Sequence, residues 1–294
     1  MNKLTFFSGV AALAVLVLTG CHGVSPELAA HNFKVDADSE RCILSCGDRV
    51  LTLHPGSRSA ELNGILLQLP AAVDYESRTY SLDPLVIDTV VVPLLADGAQ
   101  LTRPVKKVML DPGHGGRDSG ARGARALEKE LNLKLAAAIR EELVKRGFEV
   151  VMTREDDTFV SLDERAQRSA AADIFISVHH NAASNRTARG IETFAARPRR
   201  AVRFHDAAST RLAFEVQRAM TEATGVVDRG VKFDRFVVIR KSHVPAILLE
   251  GGFISTPEEE KLIASEDFRR KIAVAVATAV ERFSRDAIIV EEDE

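Results

Sequence analysis

Beyond Leu18 this 294-residue chain has no run long and apolar enough to cross a bilayer. It also lacks a surplus of basic charge. Lys and Arg number 39 against 42 Asp and Glu, a formal net charge of -3. Nothing in that total favours nucleic acid, which attracts a basic face. Cysteine is scarce, at three residues, and the two beyond Cys21 are too few for a metal site of cysteines alone. Glycines cluster at 113–116 yet complete neither nucleotide signature. Gly113-x-Gly115-x-x-Asp118 lacks the third glycine of a dinucleotide fingerprint, and no Gly-Lys-Ser/Thr closes a phosphate loop. What is present, 46% apolar and 28% charged residues, is enough for one large domain with a sizeable core and a small second one.

The N-terminus reads as an address. Lys3 precedes Leu4 to Leu18, mostly apolar but short for a membrane span, as in an export signal over residues 1–20. It ends in Leu18-Thr19-Gly20-Cys21, which resembles a bacterial lipobox and implies cleavage before Cys21 and lipidation of its sulfur. Residue 22 is His rather than Asp, so the resemblance points to the periplasmic face of the outer membrane. An ordinary secretory signal with a chance cysteine is the alternative. Cys42 and Cys46 then remain as a pair. In an oxidising compartment they form a disulfide if a turn lies between them, since four extended residues hold them too far apart; otherwise they are free thiols.

Residues 21–37 read as a polar tether, and 38–103 as a small β-rich domain. Arg49 to Leu53 alternates, His54-Pro55-Gly56-Ser57 turns, and Asn63-Gly64 marks a hairpin between Ala60-Glu61-Leu62 and Ile65 to Leu69. The β-branched run Val86 to Val92 extends the β reading. This region loosely resembles the small N-terminal β domain of copper amine oxidases, which implies a spacer or wall-binding role and no copper.

From 104 to 285 the pattern becomes α/β. Short apolar strands fall at Lys107–Leu110, Phe148–Met152, Asp173–Val178 and Ala246–Glu250. Helical spacing covers Glu128–Arg146, Ser161–Ala171, Thr210–Thr224, Glu258–Ala264 and Phe268–Arg285. Ser161 and Glu164 make a capping box. This alternation predicts a three-layer αβα domain with a mainly parallel sheet, whose sites gather at the carboxyl ends of strands. Residues 286–294 read as an acidic tail.

Four candidate residues sit at such ends or beside them. His114 lies in a glycine loop that allows close approach to a ligand. Glu128 opens a helix, where a carboxylate also complements the dipole; Glu130 competes, about 200° round the helix. His179 and His180 are adjacent on a strand and face opposite ways, so spacing alone leaves both open. Glu250 ends an apolar strand before two glycines, and a carboxylate buried there must be paired, metal-bound or neutralised.

Taken together and in order, the motifs resemble the zinc-dependent N-acetylmuramoyl-L-alanine amidases of the Amidase_3 type. They are Leu110-Asp111-Pro112-Gly113-His114-Gly115-Gly116, Glu128-Lys129-Glu130, Thr153-Arg154 with Leu162-Asp163-Glu164-Arg165, Ser177-Val178-His179-His180-Asn181, Arg189-Gly190-Ile191-Glu192, Arg229-Gly230-Val231-Lys232 and Leu248-Leu249-Glu250-Gly251-Gly252-Phe253. The resemblance implies Zn2+ on His114, Glu128 and His179, with Glu250 as the catalytic carboxylate. It implies hydrolysis of the amide between N-acetylmuramic acid and L-alanine in peptidoglycan. Two departures stand out: His180, where the family often has a small residue, and Gly251 before Gly252.

A non-catalytic peptidoglycan-binding lipoprotein is the alternative, and a zinc peptidase or deacetylase a third reading. Some relatives carry a helical plug that an activator protein displaces. The stretch from Phe194 to Gly225 holds one ordinary helix and a basic run, leaving little room for one.

Overall fold

The structure is a computed structural model. It describes the backbone of residues 16–19, and residues 33–96, 98–198 and 203–290. Cys21, the cleavage site and most of the expected tether fall outside the described residues, as do the last four residues of the acidic tail. Among the described residues no helix is long and apolar enough to cross a membrane.

The N-terminal strands are β1 (Leu16–Thr19), β2 (Lys34–Ala37), β3 (Cys42–Cys46), β4 (Arg49–Leu53), β5 (Ser59–Leu62), β6 (Ile65–Gln68), β7 (Asp74–Glu76) and β8 (Thr79–Leu82). The hairpin at Asn63-Gly64 joins β5 to β6 with φ of 48° and 84°, the left-handed pair that a two-residue turn demands. Cys42 and Cys46 lie at the two ends of one continuous strand, β3. Four strand steps separate their alpha carbons by about 13 Å, far beyond disulfide reach. The turn that a bridge required does not form, because β3 pairs through its whole length with β4.

The run Val86 to Val92 is helical, not extended. Helical turns at Pro84–Val86, Ile87–Val91 and Val92–Leu95 follow one another, the middle one of π type. Asp83 caps the start by accepting from the Leu85 N–H at 2.8 Å, and Pro84 takes the first position. Val86, Ile87, Val90, Val91, Leu94 and Leu95 are all buried. Their three-and-four spacing is the helical signal, and tertiary burial of that stripe overrides β propensity.

The α/β part contains β9 (Gln100–Leu101), β10 (Lys107–Pro112), β11 (Glu149–Met152), β12 (Ile174–Asn181), β13 (Ile191–Ala196), β14 (Asp228–Asp234), β15 (Ala246–Phe253) and β16 (Ile288–Ile289). Its helices are α1 (Glu128–Lys145), α2 (Leu162–Arg168), α3 (Phe204–Thr224), α4 (Val237–Arg240), α5 (Pro257–Ala264) and α6 (Glu266–Arg285). The expected tail therefore begins with a short strand, since β16 pairs with β9.

The central sheet is mixed rather than mainly parallel. In the order β11-β10-β12-β15 the strands are parallel, but β13 runs antiparallel to β15, and β14 is parallel to β13. The order continues without a break through β6 into the antiparallel strands β5 to β2. Strand β13 is buried along its whole length, so no burial alternation advertises it.

Alternation sorts the core into two faces. Val108, Leu110, Ile174, Ile176, Val178, Ile247 and Leu249 join one cluster with residues of α1, α3 and α6. Met109, Phe175, Leu248 and Phe194 point the other way, against Val238 and Ile239 of α4. Asp111, His179 and Glu250 share the parity of this second set, so all three side chains leave their strands on the α2 and α4 side.

Candidate metal centre

Strand register brings the site together. Asp111 pairs with Ser177, and His179 pairs with Glu250, on the parallel strands β10, β12 and β15. In-register neighbours point the same way, so three strand ends deliver polar groups to one spot. The chain leaves β10 through Gly113. A Cβ there would lie 2.1 Å from the His179 ring, so only glycine lets the loop pass.

Glu128 is the hub. His114 Nε2 is 3.1 Å and His179 Nδ1 2.9 Å from its Oε1. Asn132, one turn along α1, donates to the same oxygen at 3.2 Å. The other oxygen, Oε2, accepts from the Ala121 N–H at 2.8 Å. Glu128 is 4% exposed. Burial opposes its ionisation, but the two histidines outweigh it and hold its carboxyl well below the usual range. Glu130 points to solvent and takes no part.

His114 has φ of 62°, a left-handed conformation that costs energy in a non-glycine residue. A buried network braces it. Arg165 binds Asp111 Oδ1, the Pro112 carbonyl and the His114 carbonyl at 2.6, 2.7 and 2.6 Å. Asp111 also accepts from Thr153 and Ser177. Arg154 donates to the carbonyls of Pro112 and Gly113. Asp118 Oδ2 lies 2.9 Å from His114 Nδ1 and accepts its proton, leaving Nε2 to face Glu128. Burial lowers the His114 pKa, but the Glu128 and Asp118 carboxylates outweigh it, so the net shift is upward.

Glu250 lies beside this cluster, 8% exposed. Its Oε2 is buried without a hydrogen-bond partner in the described structure. Burial, then the charges of Glu128 and Glu192, raises its pKa well above the carboxylate range, and Lys232 opposes this. A cleft of about 730 Å³ opens over these groups, with Phe159, Leu162 and Phe236 on its far side.

The structure brings three of the expected residues, His114, Glu128 and His179, into one cluster, and Glu250 lines the same cleft. His180 also lines the cleft, but it is buried and its ring Nδ1 is 2.8 Å from Asn132 Oδ1 of α1. Asn132, Asp118 and the Asp111–Arg165 pair were not singled out as working parts. Arg154 and Arg165 stood only inside motifs, and nothing local marks them as buried.

The donor set suits zinc. A tetrahedral ion with bonds of about 2.0–2.1 Å sets its ligand atoms roughly 3.3 Å apart. The three ligand atoms all lie within 4.8 Å of one another, and two of the separations are 3.1 and 2.9 Å. Residues 108–282 match Amidase_3, N-acetylmuramoyl-L-alanine amidase. The chain belongs to that family. It is 35% identical over 193 residues to the uncharacterized protein YqiI of Bacillus subtilis, covering 64% of this chain and 91% of YqiI. It is 38% identical over 181 residues to the N-acetylmuramoyl-L-alanine amidase LytC of the same organism, covering 60% of this chain but only 36% of LytC. The crystal structure of an N-acetylmuramoyl-L-alanine amidase from Clostridium difficile 630 superposes with a TM-score of 0.57 at 37% identity, over 62% of this chain and 97% of that one. Membership makes the chain a cell-wall amidase, an enzyme that hydrolyses an amide bond of peptidoglycan.

Proposed function

We propose that the chain cleaves the amide between the lactyl carbonyl of N-acetylmuramic acid and L-alanine, with zinc held by His114, Glu128 and His179 and with Glu250 as general base and acid. The observation that carries this reading is the meeting of two ring nitrogens and Glu128 Oε1 beside an orphaned buried carboxylate, in an open cleft. Bound zinc supplies Lewis acidity for the carbonyl and lowers the pKa of water. The protein does the rest. Asp118 fixes the His114 tautomer, and Asn132 and the Ala121 N–H orient Glu128. The Glu250 oxygen without a partner takes a proton from the attacking water and returns it to the leaving amine. Burial and the charges of Glu128 and Glu192 raise the Glu250 pKa, and a bound dication beside it would act in the opposite direction.

Among the described residues α3 packs against β13 and α6, and the residues lining the cleft include none of α3. We therefore expect activity without an activator protein. The lipid anchor at Cys21 and the periplasmic outer-membrane location remain part of this proposal.

Digestion of purified peptidoglycan by the zinc-loaded protein, with mass spectrometry of the products, tests it. Stem peptides beginning at L-alanine, absent for Glu250→Ala and after chelation, are expected. Intact muropeptides with clear sedimentation would favour the binding-only lipoprotein.

A further inference from the structure

His180 is the histidine of the β12 pair that lies outside the proposed ligand set. Its ring lies on the α1 side of the sheet, and the residue is 3% exposed. Nδ1 is 2.8 Å from Asn132 Oδ1. Asn132 in turn places its amide nitrogen 3.2 Å from Glu128 Oε1 and 3.3 Å from the Gly113 carbonyl. Both of those atoms only accept, so the NH2 of Asn132 must face them. Its Oδ1 must then face His180, and the ring must donate from Nδ1. The chain of donors runs one way, from His180 through Asn132 to Glu128.

The opposite edge of the ring lies over Gly251. A Cβ at that position would be 3.2 Å from His180 Nε2, 3.4 Å from its Cδ2 and 3.3 Å from Leu135 Cδ2. Any larger residue there presses the ring toward α1. The two departures from the family pattern are therefore neighbours in space.

We propose that His180 is a positioning residue for the metal carboxylate: through Asn132 it holds Glu128 Oε1 in place, and Gly251 leaves the space its ring needs. This rests on the reading of His114, Glu128 and His179 as the metal ligands. Without the His180 donor, Asn132 Oδ1 is buried with no partner. Rotation of the amide relieves that, but turns an oxygen toward the Glu128 carboxylate and removes its donor.

The test is zinc affinity, read by competition with a chromogenic chelator, for the wild type, His180→Leu, His180→Gln, Asn132→Ser and Gly251→Val. Leu keeps about the volume of the ring without its donor, and Gln keeps a donor. His180→Leu and Asn132→Ser should each weaken zinc binding by about 10–100-fold, the usual loss for an outer-shell partner. The double variant should lose no more than either alone, and His180→Gln should lose less than His180→Leu. Gly251→Val should weaken binding in the wild type and not further in His180→Leu. Thermal unfolding of the metal-free proteins separates packing from positioning. A lowered midpoint with wild-type zinc affinity in His180→Leu overturns the proposal. Should that variant not fold, wild-type affinity in Asn132→Ser does the same. A His114→Ala protein that binds zinc as tightly as wild type would instead overturn the ligand reading beneath it.

Discussion

His179 and Glu250 are register partners on adjacent parallel strands, so the sheet itself sets the proposed ligand beside the proposed catalytic carboxylate. Neither depends on a loop for its place. Glu250→Gln keeps the shape and removes the base. It should cut turnover on peptidoglycan by about 10²–10⁴-fold, while zinc content by atomic absorption stays near that of the wild type. Loss of zinc in this variant would show Glu250 to be a ligand instead.

As the proposed ligands, His114, Glu128 and His179 should act as one set. Removing any of them should leave the protein folded but unable to retain zinc through dialysis, and chelated wild type should recover activity when zinc is returned. Full activity of Glu128→Ala after dialysis would end the metal reading.

Arg165 and Asp111 form an ion pair at 2.6 Å, with side chains 3% and 0% exposed. Breaking a buried pair leaves a charge uncompensated and costs about 3–5 kcal/mol. Arg165→Met should lower unfolding stability in urea by that order. It should also weaken zinc binding, since the His114 carbonyl loses its brace. Unchanged stability would mean that Asp111 finds another partner.

Glu260 fastens the turn before α1. Its carboxylate accepts from the N–H groups of Ala124, Arg125 and Ala126. Burial raises its pKa, but those three bonds lower it more, and the net shift is below 4.5. A carboxyl depressed on folding contributes stability that is present above its unfolded pKa and lost as pH falls through the folded one. The stability gap between wild type and Glu260→Gln should be widest near neutrality and close below about pH 4.5. A gap that does not vary with pH would contradict this.

Cys42 is fully buried, and burial, helped by the charge of Asp36, pushes its thiol up to about 12. It should resist alkylation in the native protein at pH 8. Cys42 should take label after unfolding without reductant, as peptide mapping would show. A Cys42–Cys46 bridge in that map would be incompatible with β3.

The candidate ligands were legible as a set because metal chemistry admits few residue types, and because His and Glu at the ends of apolar strands have little other reason to be there. The main helices were legible from their spacing. Three things were not. The helical stripe from Val86 to Leu95 hid among β-branched residues whose local preference is the opposite. The antiparallel β13 was silent because a strand buried on both faces shows no alternation.

The role of His180 was the third. The sequence alone determined that His179 and His180 face opposite ways, since strand geometry requires it. The family resemblance favours His179 for the candidate metal site, and only the tertiary structure shows how that choice is made. That choice depends on α1 packing on one face of the sheet, and on Asn132 and Gly251, far away in the chain, meeting the ring that points there. Local geometry sets the direction of a side chain along its own strand. What waits at the end of it is fixed by which distant elements pack there.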